Sequence, residues 1–310
     1  MQRILSRDEI ENLDHTLIPR VRLPDVSSVF ADRATRLRAL AADSPLQAYL
    51  LMMATVCDAQ HQVVRDANLV MSEPDPERVS LAQAHGLPPL PAVGWQRDPV
   101  WRQMLHGILE QSVAAGVPTA AVEVCRRIID QLQRDPDAVE QQADAVLARL
   151  DHVDTAWAPF VMAGLQAYWT RLAGQFSLDQ LPVVTPFGVC PMCGMLPVSS
   201  VVRIGAQIDG CRYLGCPLCS TEWHLVRVTC SNCQDTEKIA FHSIEGGPEG
   251  IKAEACGKCH VYRKIFYQEK DPFFDAVADD LATLTLDIMM GEQGFSRASH
   301  NPMFWHHGGG

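Results

Sequence analysis

No apolar run in this 310-residue chain approaches the roughly 18 residues that a membrane span needs. The densest, Leu50 to Cys57, fits a core helix. Positive charge is also scarce: 26 Lys and Arg stand against 37 Asp and Glu, a formal net charge of −11. A general nucleic-acid binder needs the opposite balance. The cysteine-bearing stretch is no exception, because from Pro186 to Lys270 nine basic residues face eight acidic ones. There is no Gly-rich phosphate loop and no G-x-S-x-G elbow. Residues 1–14 have neither an apolar core nor a cleavage site. A secretory signal is therefore not expected, and the expected location is the cytoplasm. With no catalytic motif in view, the chain reads as a binding protein and not as an enzyme.

Cysteine, by contrast, is plentiful. Eight of the 11 cysteines form four Cys-x-x-Cys pairs: Cys190/Cys193, Cys216/Cys219, Cys230/Cys233 and Cys256/Cys259. Cys190 to Cys230 is 40 residues, and so is Cys216 to Cys256, giving two copies of C-x2-C-x22-C-x2-C. The copies also agree at Gly210 and Gly250, Arg212 and Lys252, and Ile204 and Ile244. Such a repeat is one supersecondary unit used twice. Each unit is too small for much hydrophobic core, so a metal must supply much of its stability. We read each as a knuckle, a hairpin, a second knuckle and a further strand, with Gly210 and Gly250 supplying positive φ at tight turns.

Four thiolates per unit suit zinc or iron. Pairing within each copy keeps the copies equivalent; the alternative joins Cys216/Cys219 to Cys230/Cys233. A disulfide framework is disfavoured in a reducing cytosol. The first knuckle, Cys190-Pro-Met-Cys193-Gly194, is similar to rubredoxin, whereas Ser220, Gln234 and His260 follow the other three pairs. That departure weakens a redox reading. Cys211 precedes Cys216, but its repeat counterpart is Ile251, so a core position is expected. Cys57 and Cys125 lie in apolar helical runs and are expected to be buried. His61, four residues after Cys57, is read as a half-exposed neighbour and not as part of a site.

Residues from about 30 to 176 read as helical. Ser44-Pro45, Asp98-Pro99 and Asp135-Pro136 look like N-caps with proline at the first helical position. Val100, Trp101, Met104, Leu105, Ile108 and Leu109 recur at three and four. Glu73 to Pro91, with five prolines, reads as a long connection, and Leu181 to Phe187 as a linker. Asp271-Pro272 is expected to start a last helix through Ile288, followed by a mobile tail from Phe304. The fold class is therefore α+β. A helical domain (1–180) precedes two tandem rubredoxin-like or zinc-ribbon-like four-cysteine metal modules (186–229 and 230–270) and a C-terminal helix and tail (271–310). The helical core is expected not to depend on sulfur. Glu222, Trp223 and His224, directly after the second knuckle, are either a recognition patch or alternating strand faces; Trp223 is the expected contact, because its counterpart is Arg263.

Several longer strings resemble one family. They are Pro197-Val-Ser-Ser200, the run from Arg212 through Cys216-Pro-Leu-Cys-Ser-Thr-Glu-Trp-His224 to Val228, and Cys230-Ser-Asn-Cys233. Ile251-Lys-Ala-Glu-Ala-Cys256, Tyr267-Gln-Glu-Lys-Asp-Pro272 and Ala276-Val-Ala-Asp-Asp-Leu281 belong with them, and Leu37-Arg-Ala-Leu-Ala and Asn301-Pro-Met-Phe304 extend the likeness toward both ends. The chain resembles the formate dehydrogenase accessory protein family, FdhE. The resemblance implies a cytoplasmic maturation factor that binds the catalytic subunit of respiratory formate dehydrogenases before twin-arginine export. It also implies that the eight knuckle cysteines are metal ligands, and it favours rubredoxin-like iron over zinc. The competing expectation is a rubredoxin-type electron carrier that delivers electrons to a partner enzyme.

Overall fold

The computed structural model describes residues 18–42, 44–183, 186–205 and 209–305. The readings made for residues 1–14 and for the last five residues of the tail lie outside them. Among the described residues, seven helices build the first half: α1 (Val29–Ala41), α2 (Gln47–Val64), α3 (Pro76–His85), α4 (Val100–Ala114), α5 (Thr119–Arg134), α6 (Pro136–Ala148) and α7 (Ala158–Ala173). The expected cap stands at Asp135, which accepts from the Ala138 N–H at 3.2 Å. Asp98 and Ser44 lie just before their helices, whose N-caps are Pro99 and Leu46, and accept from the Val100 and Leu46 N–H groups at 2.9 and 3.1 Å. Each satisfies a donor that a helix start leaves orphaned.

The stretch from Glu73 to Pro91 is not one long connection, because it contains α3. Pro76 occupies the first turn, Asp75 caps the Glu77 N–H, and Gly86 closes the end at φ 66°. The prolines misled because Pro76 starts a helix where a breaker was read. Helix α7 is the centre of the bundle: every residue of it except Arg171 is buried. Its Gly164 lets α4 approach so closely that an added Cβ would lie 2.9 Å from that of Leu105.

The second half is organised around one sheet, which has eight strands among the described residues. They are β1 (Val21–Arg22), β2 (Ser199–Arg203), β3 (Cys211–Gly215), β4 (Glu222–His224), β5 (Ile239–His242), β6 (Ile251–Cys256), β7 (Val261–Tyr267) and β8 (Ser296–Arg297). The order is β1-β4-β3-β2-β7-β6-β5, with β8 on β7. The sequence repeat is thus a structural one: β2–β3–β4 and β5–β6–β7 are equivalent antiparallel three-stranded units. A parallel pairing joins them, with Ser200 opposite Ile265 and Val202 opposite Tyr267.

The two hairpin glycines turn out to differ. Gly210 has φ 81°, as a tight turn demands, but Gly250 is absent from the left-handed region. Gly250 is small for another reason. A Cβ there would lie 2.8 Å from Phe274 Cε2 and 2.9 Å from Lys270 Cβ. Gly250→Ala should therefore destabilise the outer unit by about 1–3 kcal/mol through overpacking. A thermal melt reads this, and an unchanged Tm would show that the Phe274 ring yields freely.

The C-terminal helix is two short helices, α8 (Ala278–Ala282) and α9 (Leu284–Glu292). Asp271-Pro272 does not start it. Asp275 does, accepting from the Val277 and Ala278 N–H groups at 2.9 and 2.7 Å. The break falls at Thr283, where the buried Lys264 ammonium donates to the carbonyl oxygens of Asp280 and Thr283. Helix α8 packs back on α1, while Leu286 and Met290 of α9 cover a second, smaller core under the outer unit.

Candidate metal centres

Each knuckle is a short turn closed on itself. The N–H of Cys190 donates to Met195 O, that of Cys216 to Thr221 O, and that of Cys230 to Asp235 O, at 2.8–3.0 Å. The residue after the second cysteine is left-handed in all four: Gly194 (φ 77°), Ser220 (56°), Gln234 (66°) and His260 (55°). Three non-glycine residues thus take the conformation that glycine takes for free, at about 1 kcal/mol or more each. Their side chains differ, yet the backbone does not. N–H groups also point at sulfur, from Leu218 and Cys219 to Cys216 Sγ and from Asn232 to Cys230 Sγ, all at 3.4 Å. Such donors stabilise a thiolate.

The knuckles meet in two groups of four, Cys190/Cys193/Cys216/Cys219 and Cys230/Cys233/Cys256/Cys259, with all sulfurs of a group within 4.8 Å of one another. The pairing is therefore within each repeat. In the first group Cys190–Cys219 is 3.6 Å and Cys193–Cys216 is 3.4 Å; in the second, Cys230–Cys259 is 3.7 Å and Cys233–Cys256 is 3.6 Å. A metal bound tetrahedrally at about 2.3 Å would set sulfurs about 3.8 Å apart. The cages already have nearly that edge. Burial pushes the Cys190 and Cys193 thiols well up, and that of Cys230 to about 12. Four sulfurs so placed do not ionise together without a compensating cation, so the cages fit a thiolate-binding metal. When bound, zinc would crosslink the knuckles, and iron would add a one-electron couple.

Equivalent in sequence, the two cages are unlike in the fold. The first, the inner cage, has cysteines that are 0–3 % exposed and belong to the main core with the helices. Leu90 N donates to Met192 O and Ala92 N to Cys193 O, at 3.0 and 2.9 Å. From α7, Gln166 Nε2 donates to Pro217 O at 2.7 Å and Thr170 Oγ1 to Leu218 O at 3.4 Å. The second, outer cage leaves Cys233 and Cys259 half-buried. Nothing in the cysteine spacing marked this difference, because the contacts come from residues far upstream.

Cys211, Cys57 and Cys125 are buried and belong to neither cage. Cys211→Val should keep two metal equivalents by elemental analysis, because its volume and polarity change little. Loss of one equivalent would reopen the ligand assignment. His61 lies 3.1 Å from Arg65 and forms no site with Cys57.

The strand Glu222–His224 carries the expected contact residue. Trp223 is 8 % exposed and part of the main core, between Leu214 of β3 and Val21 of β1. Strand β1, from far upstream, covers what would have been an edge. Trp223 is therefore packed into the main core, with little of its ring exposed. Glu222 is held by Arg22 at 3.3 Å and by Arg203, and His224 stacks edge-on against Tyr213 at 5.8 Å. No described helix is long and apolar enough to cross a membrane.

Comparison with known proteins adds three findings. Family models described as FdhE N-terminal, FdhE central domain and FdhE C-terminal domain match residues 18–185, 189–227 and 228–304 in turn. "Protein FdhE" of Salmonella arizonae is 39 % identical over 313 residues, 98 % of this chain and 97 % of that protein. A "Protein FdhE homolog" of Citrobacter koseri shows the same identity and coverage. The crystal structure of the FdhE protein from Pseudomonas aeruginosa superposes with a TM-score of 0.79 at 31 % identity, covering 94 % of this chain and all of that one.

Proposed function

The chain belongs to the FdhE family, and from that premise we propose that it is a cytoplasmic maturation factor for respiratory formate dehydrogenase. It binds the catalytic subunit and is needed for that enzyme's activity, with no catalytic turnover of its own and no nucleic-acid partner. The observation that carries the reading is the pair of preformed four-cysteine cages in a chain that matches FdhE relatives over 98 % of its length. The proposed ligands are Cys190, Cys193, Cys216 and Cys219 for one metal, and Cys230, Cys233, Cys256 and Cys259 for the other. Iron is the proposed metal, with zinc the alternative that the donor set admits equally.

A second reading, a rubredoxin-type electron carrier, draws on the half-exposed Cys233 and Cys259 and on the shared left-handed knuckle geometry. The experiment that separates the two is capture of the catalytic subunit by the purified chain, with metal analysis and a visible spectrum of protein prepared without oxygen. Stable capture with no formate oxidation by the chain alone supports the maturation factor. Absence of capture across maturation states of the enzyme, together with reversible bleaching of a thiolate-to-iron band, would favour the carrier.

A further inference from the structure

The sheet ends on one side in β1 and on the other in β5. We propose that the outer edge of β5 is a docking site for an extended, uncharged segment of the partner polypeptide, which joins the sheet there as a parallel strand. The inference rests on the maturation-factor reading and deepens it by naming the surface.

The backbone of β5 is the first reason. The Gly257 N–H donates to Lys238 O at 2.7 Å, and Ile239 lies opposite Cys256. Hydrogen-bonded and non-hydrogen-bonded pairs alternate along an antiparallel ladder. Ala240 and His242 therefore bond β6, while the N–H and C=O groups of Ile239 and Phe241 point away from it. No other strand or backbone group meets those four groups among the described residues. Donors and acceptors thus alternate over about 7 Å of open edge. An extended polypeptide matches that pattern, and a metal ion or a small anion does not.

The sequence repeat is the second reason, and it names the kind of occupant. In the first unit β2 holds the place that β5 holds in the second. The outer edge of β2 is filled. Strand β7 pairs with it in parallel, and the Gln268 N–H donates to Val202 O at 3.0 Å. The same three-stranded unit therefore accepts a parallel strand at this edge. A second copy of the chain does not reproduce that arrangement, because a two-fold axis sets β5 antiparallel to itself.

The side chains are the third. Natural sheets blunt an open edge with very short strands, prolines or charges. Strand β1 follows that rule, being two residues long between Pro19 and Pro24. From Ile239 to Ile244 there is neither proline nor Lys, Arg, Asp or Glu. Phe241 is 42 % exposed. It lies opposite Glu254, as Ile239 lies opposite the cage ligand Cys256, so both side chains share that ligand's face of the sheet. An apolar side chain of the docked segment would cover Phe241 on the same face.

The test is a titration of the full chain with the purified catalytic subunit, with metal content measured for every variant. Phe241→Pro removes one outward N–H and no bond to β6, and proline is tolerated at such edge positions. It should weaken binding about tenfold while both metals stay bound. Phe241→Lys keeps the backbone but charges the edge, and it should weaken binding similarly. Leu81→Ser, at an exposed apolar position on α3, should bind like the unmutated chain. Residue-resolved amide exchange gives a second readout. Ile239 and Phe241 should gain protection in the complex, whereas Ala240 and His242 are protected already. Photo-crosslinkers at the exposed positions 238 and 243 should label the segment in N-to-C order, as a parallel strand demands. Equal binding by both Phe241 variants, with no gain of protection, would overturn the edge and leave the maturation reading standing. Labelling in the reverse order would overturn the parallel assignment. A free chain that is dimeric, but monomeric as Phe241→Pro, would give the edge to a second copy and overturn the partner segment. Failure of the unmutated chain to bind would remove both readings.

Discussion

Cys193→Ser is expected to remove one metal equivalent and to unfold much of the helical half with it. The inner cage is part of the main core: Cys190, Cys193, Cys216 and Cys219 are grouped with Trp169, Leu105 and Met53. The knuckles also lend carbonyls to Gln166 and Thr170 of α7 and to the backbone of Leu90 and Ala92. A structural metal site contributes about 10–16 kcal/mol of apparent binding free energy, and a domain's net stability is only about 5–15 kcal/mol. From the sequence the helices are expected to stand without sulfur; the shared core leads to the opposite prediction. Cys259→Ser, in the half-exposed outer cage, should also cost one metal but spare most helical signal. A chelator should likewise strip the outer cage first. Helical circular dichroism and metal content, measured together for both variants, check this. Equal loss of helix in the two would show that the cages are energetically equivalent.

The second large effect is expected at the contact between the repeats. Arg212 of β3 reaches Glu254 of β6 at 2.9 Å, with side chains 0 and 3 % exposed. Arg212 also donates to Ser200 Oγ at 3.0–3.1 Å and to Thr229 O at 2.9 Å. Burial lowers the pKa of Arg212 and raises that of Glu254, each against the pull of its partner. The pair is therefore costly to bury and more costly to break. Glu254→Leu should destabilise by about 3–5 kcal/mol because it strands a buried guanidinium. The double variant Arg212→Met/Glu254→Leu should recover much of that loss. Denaturant unfolding of the single and double variants reads the difference. A single variant as stable as the unmutated chain would show that water already reaches Arg212.

The cysteine spacing and its 40-residue recurrence were enough to name the eight cage residues, because ligand pairs and hairpins are local features. The α+β class was also legible, through helical periodicity in the first half and Gly210 at its turn. The burial of Trp223 is not legible in the sequence, because strand alternation gives a face but not its cover. That cover is β1, some 200 residues upstream in the chain. Gly250 was assigned a turn role because a sequence does not distinguish a glycine needed for φ from one needed for close approach, here by Phe274. Helix α3 was missed because proline at a first helical turn and proline as a breaker look alike.

By itself, then, the sequence determined which atoms can hold metal and how many times. Tertiary structure decided what each cage is built into. Two units with the same local geometry became an inner cage sealed by α7 and an outer one open to solvent, because burial is set by contacts between distant segments. The open edge of β5 arose in the same way, because no described segment closes over it as β1 and β7 close over β4 and β2. Local spacing fixes ligand geometry, but exposure, and with it reactivity and partner access, is a property of the packed whole.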